Sequence, residues 1–252
     1  MLTTRPKKIQ SNHKWLAMLG IGLGVLMATI DSSIVNISLP TLVEYFDTTF
    51  ATIQWVILSY VLILTSFMLG AARLGDIYGK KKMYSIGLWL FIVGSLLCGT
   101  SKDVGWLIRF RALQGVGATM MQALGIAIIT EVFPVSERGR ALGIMGSIIS
   151  VGIAMGPPLG GLLIGLYSWN AIFLVNIPLG LLTVFVVYRY VPSSDIGKSA
   201  EKFDIIGAVA LLVTLTSYAL GLTIGQQSGF NSSSAQGLLI VAVFGLGFFI
   251  II

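Results

Sequence analysis

The chain has 252 residues, of which 56% are hydrophobic and only 10% charged, and its mean hydropathy is +0.92. A soluble domain of this size could not keep that composition in solution, so the chain belongs in a bilayer. Its net charge of +6 does not signal a nucleic-acid binder, because the basic residues cluster between apolar runs and form no stripe or patch.

Apolar runs of about 20 residues, the length that spans a hydrocarbon core, predict eight transmembrane helices, at 14–38, 51–72, 82–100, 104–130, 140–166, 169–190, 204–224 and 236–252. They read as helices because lipid leaves an open strand edge no partner, and no alternating pattern of a membrane barrel occurs. After a tail at 1–13, the first span carries Asp31 and Asn36 and lacks a small-residue cleavage site, which favours an uncleaved span over a secretory signal. The segment Ala72-Arg-Leu-Gly-Asp-Ile-Tyr-Gly-Lys-Lys-Lys82 follows the second span. A loop this short forces an antiparallel hairpin. Gly75 and Gly79 permit tight turns, and Arg73, Asp76 and Lys80 to Lys82 can pair across helix ends.

The third span holds Cys98, the single cysteine, which can form no internal disulfide. The fourth contains Arg109, Arg111 and the small-residue run Gln114-Gly-Val-Gly-Ala118. In the fifth, Gly152, Gly156 and Gly160 recur every four residues within Gly152-Ile-Ala-Met-Gly-Pro-Pro-Leu-Gly-Gly161, a smooth stripe for close helix approach, with a kink expected at Pro157 and Pro158. The polar stretch from Tyr190 to Phe203 is the expected boundary, with a linker at 191–203 between a six-helix domain at 14–190 and two further spans at 204–252. The last run stops at Ile252 without a polar flank, as a chain cut inside a helix would.

Thirteen of the sixteen basic residues fall in the tail and the even-numbered loops, which by the positive-inside rule puts the N-terminus in the cytoplasm of a multi-pass cell-membrane protein. Within the spans, charges are informative because they are few. Asp31 sits roughly 24 Å up its helix from Trp15 at 1.5 Å per residue, and Arg111 about 10 Å below the opposite surface, so both fall in one depth zone. Each costs about 2.5–3.5 kcal/mol in the bilayer core, which mutual pairing inside the bundle reduces. Two readings follow: a structural ion pair, or a proton site whose affinity changes with water access and distance to the arginine. A lone His13 and lone Cys98 supply no metal set, and no acid pair or serine motif lies in the spans, so an enzyme is not expected.

These motifs together resemble the N-terminal part of a major facilitator superfamily transporter, in the fourteen-helix branch of drug/proton antiporters. Arg73-Leu-Gly-Asp76 through Gly79 to Lys82 resembles the signature loop between helices two and three, and Asp31-Ser-Ser-Ile-Val-Asn36 to Pro40 the helix-one signature. Arg111-Ala-Leu-Gln114-Gly115 resembles the helix-four proton-coupling motif, and Gly152 to Gly161 the antiporter motif of helix five. Trp55, Tyr60, the Phe133 to Arg140 loop, Phe173 and Asn176-Ile-Pro178 also fit. Ala72, Ile77 and Ala171 depart from the usual glycine, arginine and second tryptophan.

The resemblance implies a rocking transporter that uses the proton gradient and no other cofactor to export amphipathic, often cationic compounds. Its partners would be that small substrate, protons, the lipid bilayer and a missing C-terminal half, with no nucleic acid. By motif, Asp31 and Arg111 would couple protons, and Arg73, Gly75, Asp76, Gly79 and Lys80 would form the gating loop. Gly152, Gly156, Pro157, Gly160 and Gly161 would form the helix hinge, and Asn36, Trp55, Tyr60 and Gln114 would line the cavity. The alternatives are a remnant that inserts without transporting, or a facilitator of another small solute.

Overall fold

The computed structural model describes residues 11–193 and 205–251. Among them it has no strand and ten helices: α1 (Ser11–Tyr45), α2 (Phe50–Ile53), α3 (Trp55–Tyr78), α4 (Lys80–Gly99), α5 (Val104–Val132), α6 (Val135–Leu166), α7 (Ala171–Leu174), α8 (Asn176–Tyr190), α9 (Ile205–Ser228) and α10 (Ser233–Ile251). Eight segments are long and apolar enough to cross a membrane, the number the apolar runs predict, and the chain is an all-α, multi-pass membrane protein. Most of the expected tail and linker, with Arg5, Lys7, Lys8, Lys198 and Lys202, and the terminal Ile252 lie outside the described residues.

The helices run past the apolar runs that announce them. α1 continues to Tyr45 with Pro40 inside it, and α6 starts at Val135 behind Pro134 and runs unbroken through Pro157 and Pro158. The largest correction falls on the expected loop after the second span. α3 continues to Tyr78 and α4 begins at Lys80, so Arg73, Gly75 and Asp76 are helical and Gly79 alone makes the turn. Its φ of +94° is a left-handed conformation that costs glycine little, and its N–H still donates to the Gly75 carbonyl at 3.0 Å. Hydropathy falls where charges begin, whereas the backbone hydrogen-bond ladder is indifferent to them and continues out of the apolar layer.

Side-chain caps start two other helices: Thr49 Oγ1 accepts from the Thr52 N–H at 3.2 Å, and Asp103 Oδ1 accepts from the Trp106 N–H at 3.0 Å.

Packing places α5 between α4 and α3, while α1 packs on α6 and α8, and α8 also meets α4. α9 pairs with α10 and lies against α3. The buried apolar residues form two clusters. One, at the basic end, includes Met18, Ile21, Tyr84, Leu124 and Phe133. The other, toward the opposite end, includes Ile34, Leu42, Cys98, Leu107 and Phe173. Outward-facing residues such as Phe185, Val243, Phe244 and Ile250 are large and apolar, as a lipid-facing surface requires.

The α4–α5 crossing depends on glycine. A Cβ on Gly117 would lie 2.5 Å from both the Gly87 carbonyl oxygen and the Phe91 nitrogen, backbone atoms that no rotamer change can move aside. Gly117→Ala is therefore expected to destabilise the bundle by about 1–3 kcal/mol. Gly143→Ala, where a Cβ meets nothing within 4 Å, is expected to be neutral or stabilising by up to about 1 kcal/mol through helix propensity. Thermal unfolding of the two variants in the same detergent checks this, and equal loss in both would remove the close-packing explanation.

Candidate functional site

Between the two apolar clusters lies a layer of buried polar side chains. Asp31 on α1 is fully buried and Arg111 on α5 is 1% exposed. Arg111 Nη1 donates to Asp31 Oδ2 at 2.6 Å and to Gln114 Oε1 at 2.7 Å, and its Nε donates to the Val56 carbonyl on α3 at 3.2 Å. Arg111 and Gln114 are three residues apart on one helix face, so both reach the same carboxylate: Gln114 Nε2 donates to Asp31 Oδ1 at 2.9 Å and to Ser95 Oγ at 2.7 Å. From α8, Asn176 Nδ2 donates to Asp31 Oδ1 at 2.7 Å and to Ser95 Oγ at 3.3 Å. The guanidinium is stacked over the Tyr60 ring at 4.2 Å and faces the Phe173 ring at 5.6 Å. Five helices, α1, α3, α4, α5 and α8, with Phe173 of the short α7, thus converge on one carboxylate and one guanidinium, and each carboxylate oxygen has a donor.

Beside this layer is a cavity of about 380 Å³ walled by α1, α3, α5 and α6. Its polar surface comes from Thr29, Ser32, Ser33, Asn36, Tyr60 and Gln122, and the rest is aliphatic or methionine. Tyr60 is 1% exposed, and its ring stands between the cavity and Arg111. Asn36 and Tyr60 line the cavity as expected. Gln114 does not: it is sealed in the ion-pair layer because Arg111 and Asp31 use both ends of its amide. Trp55, half-buried at the start of α3, is also outside the lining.

The glycine stripe of α6 faces α1. A Cβ at Gly152 would meet Thr29 at 2.9 Å, one at Gly156 would collide with Ser33, and one at Gly160 would meet Ile37 at 2.5 Å. Gly161 departs from this seam and has nothing within 4 Å of its Cβ position, since it lies about 100° round the helix from Gly160. Pro157 has no N–H to offer the Ile153 carbonyl four residues earlier. Ser33 Oγ donates to that carbonyl at 2.8 Å, so a helix-one hydroxyl satisfies the acceptor the proline releases.

At the basic end, Lys80 bridges Asp76 at 3.2 Å and also pairs with Glu131 at the end of α5. Gly75 packs under this bridge against Leu124. Across the same end Lys14 pairs with Glu137 at 2.6 Å, and the Trp15 ring meets Phe133 edge-on at 5.2 Å. Arg73 lies on α3 one turn before its end.

Ser95 and Asn176 are residues of this layer that the sequence reading assigns to no site, although Asn176-Ile-Pro178 is among the segments that fit the family resemblance. The available signal was modest: a serine amid the apolar third span, and an asparagine two residues before Pro178 in the sixth.

An α-helical bundle of membrane-spanning length, with a buried ion pair behind a polar-lined cavity, makes this a multi-pass membrane protein. The profile of the Major Facilitator Superfamily matches residues 21–252, and the chain belongs to that superfamily. It is 37% identical over 195 residues to the riboflavin transporter RibZ of Clostridioides difficile, covering 77% of this chain and 43% of that protein. It is 35% identical to the multidrug resistance protein Stp of Mycobacterium tuberculosis, over 93% of this chain and 44% of the relative. It is 34% identical to multidrug resistance protein 3 of Bacillus subtilis, over 100% and 48%. The chain therefore spans less than half the length of these curated relatives. Its fold resembles a bacterial homolog of the human lysosomal transporter Spinster in an inward-facing, occupied conformation, with a TM-score of 0.64 at 18% identity over 96% of this chain and 61% of that one. The human organic anion transporter MFSD10 gives 0.64 at 15% identity, over 97% and 71%.

Truncating one partner of the buried pair leaves an uncompensated charge. Arg111→Ala is expected to cost about 3–5 kcal/mol of stability, and the double change Asp31→Asn with Arg111→Gln to recover most of it. Unfolding measurements on the single and double variants in detergent check this; additive losses would mean that the two charges are not coupled.

Proposed function

We propose that the chain is the N-terminal half of a proton-coupled multidrug efflux antiporter that exports amphipathic compounds by alternating access. The observation that carries this reading is the Asp31–Arg111 pair, sealed at 2.6 Å one tyrosine away from the cavity. In this reading a change in water access to the carboxylate, or in its distance to the guanidinium, ties proton exchange to conformation. Relatives named as multidrug resistance proteins support export.

In this reading residues 14–190 form the six-helix transporter domain and 204–252 contribute two additional helices. The N-terminus lies in the cytoplasm of the cell membrane, and a C-terminal half closes the cavity. The Asp76–Lys80–Glu131 bridge, with Arg73 and the Gly79 turn, gates the cytoplasmic side. The seam of Gly152, Gly156 and Gly160 with Pro157 is the surface on which α6 adjusts against α1. The driving force is about 1.4 kcal/mol per pH unit for each proton, plus about 2.3 kcal/mol per 100 mV for each net charge moved.

A second reading is a carrier of another small solute. It is favoured by a cavity wall of hydroxyls and amides without a carboxylate, and by the riboflavin transporter among the relatives. Transport that persists undiminished after a protonophore collapses the gradient would select it.

In inverted membrane vesicles containing the assembled transporter, Asp31→Asn is expected to reduce proton-driven export by at least about tenfold with normal membrane insertion. Retained export would remove Asp31 as the coupling acid. Gly156→Leu is expected to impair transport by separating α6 from α1, where Ser33 and the Ile34 nitrogen, 3.0 Å from the would-be Cβ, leave no room. Wild-type activity in that variant would remove the seam from the mechanism.

A further inference from the structure

Every side chain that hydrogen-bonds Asp31 does so as a donor: Arg111 to Oδ2, and Gln114 and Asn176 to Oδ1. A proton added to this carboxyl group is itself a donor and needs an acceptor. Arg111 cannot supply one, because a guanidinium only donates. Gln114 is pinned, since its Oε1 accepts from Arg111 Nη1 at 2.7 Å. Turning its amide over would set Nε2 against the guanidinium. Asn176 has neither constraint. Its Nδ2 touches only Asp31 Oδ1 and Ser95 Oγ, and a half-turn about its last side-chain bond exchanges nitrogen for oxygen with almost no change of shape. The turned amide would accept from a protonated Asp31 and from the Ser95 hydroxyl, which itself can accept or donate.

We propose that Asn176, backed by Ser95, is the positioning residue that accommodates the proton on Asp31, donating to the carboxylate in one state and accepting from the acid in the other. This rests on the reading of Asp31 as the titrating group. The step balances: an O–H bond forms on Asp31 Oδ1, the N–H···O bond from Asn176 becomes an O–H···O bond to it, and Ser95, still accepting from Gln114 Nε2, now donates its hydroxyl hydrogen to Asn176. The titratable groups facing Asp31 are Arg111 from α5, Tyr60 from α3 and Cys98 from α4. α8 presents Asn176 itself, and α6 meets α1 through its glycine seam. Asn176 is the first residue of α8, just past the break after α7.

The test uses the protein labelled with ¹⁵N-asparagine in lipid nanodiscs. The Asp31 carboxyl band is followed by infrared difference spectroscopy and the Asn176 side-chain amide by NMR through one pH titration. Asp31 is assigned by Asp31→Asn, and Asn176 by Asn176→Leu or, if that variant fails to fold, by Asn176→Ser. The expected result is that the Asn176 amide signal moves with the same midpoint as the Asp31 band. Asn176→Leu is expected to displace that midpoint, because a hydrogen bond to a carboxylate is stronger than one to the acid. Asn176→Ser, which can still donate and accept, should shift it less. An Asp31 band that titrates while Asn176 stays fixed overturns the proposal and leaves proton coupling at Asp31 intact. An Asp31 band that does not titrate overturns both.

Discussion

The ion pair between Asp31 and Arg111 sets the terms for the rest of the bundle. Two opposite charges in a bilayer core are tolerable only when each is met by partners that replace water, and that requirement fixes where five helices sit. α1 supplies the acid, α5 the guanidinium and Gln114, α3 the Val56 carbonyl and the Tyr60 ring, α4 Ser95, and α8 Asn176. The apolar clusters lie on either side of this layer, so the bundle packs by area in the clusters and by hydrogen bonding between them. Gly94 has a Cβ position 2.8 Å from the Gln114 backbone and side chain. The close approach of α4 to α5 there brings Ser95 within reach of the amide.

α6 contributes no side chain to that layer. It is joined to the bundle chiefly through α1, by a seam in which glycines accept the side chains of Thr29, Ser33 and Ile37. α1 consequently carries two different loads two residues apart: Asp31 points into the network, and Ser33 points into the seam and holds the carbonyl left open by Pro157. A change at Asp31 that turned α1 by a few degrees would be felt at Ser33, two residues on. The geometry thus offers a short mechanical route between the ion pair and the one wall of the cavity that the polar layer does not pin.

How much of this could be read without coordinates follows from the physics of each signal. The spans, and the nearness of Asp31 to Arg111, were legible because a charge in an apolar run is rare and depth follows from counting residues. The turn after the second span was misjudged because hydropathy reports contact with lipid, whereas helix length is set by backbone bonding that carries on through Arg73 and Asp76 to Gly79. Gln114 was assigned to the cavity because a polar residue on the face of Arg111 has two possible neighbours, a ligand or a charge, and sequence does not say which. Ser95 and Asn176 were missed as site residues for a related reason. Single polar residues are common in membrane spans, and although Asn176 falls in a segment that fits the family resemblance, it is the convergence of α4 and α8 on Asp31 that gives these two their place. The stripe over Gly152, Gly156 and Gly160 was readable from its period of four, which also excludes Gly161.

The polar layer is not what a bundle selected for stability alone would contain. Apolar residues of similar volume at a buried ion pair are often as stable or more so, and here Asp31, Ser95, Arg111, Gln114 and Asn176 displace apolar packing at the centre of four helices. What such a layer offers in exchange is a second arrangement of its hydrogen bonds. The carboxylate form is fully satisfied as it stands. The acid form can be satisfied by turning one amide while the cation–π contact of Arg111 with Tyr60 and its bond to Val56 are kept. A core of leucine and valine has one arrangement and no means of registering a proton. A core in which every donor to Asp31 was an arginine or lysine would be locked in the charged form. The mixture seen here, one donor that cannot reverse, one that is pinned and one that is able to turn, combines a strong resting pair with a defined path away from it.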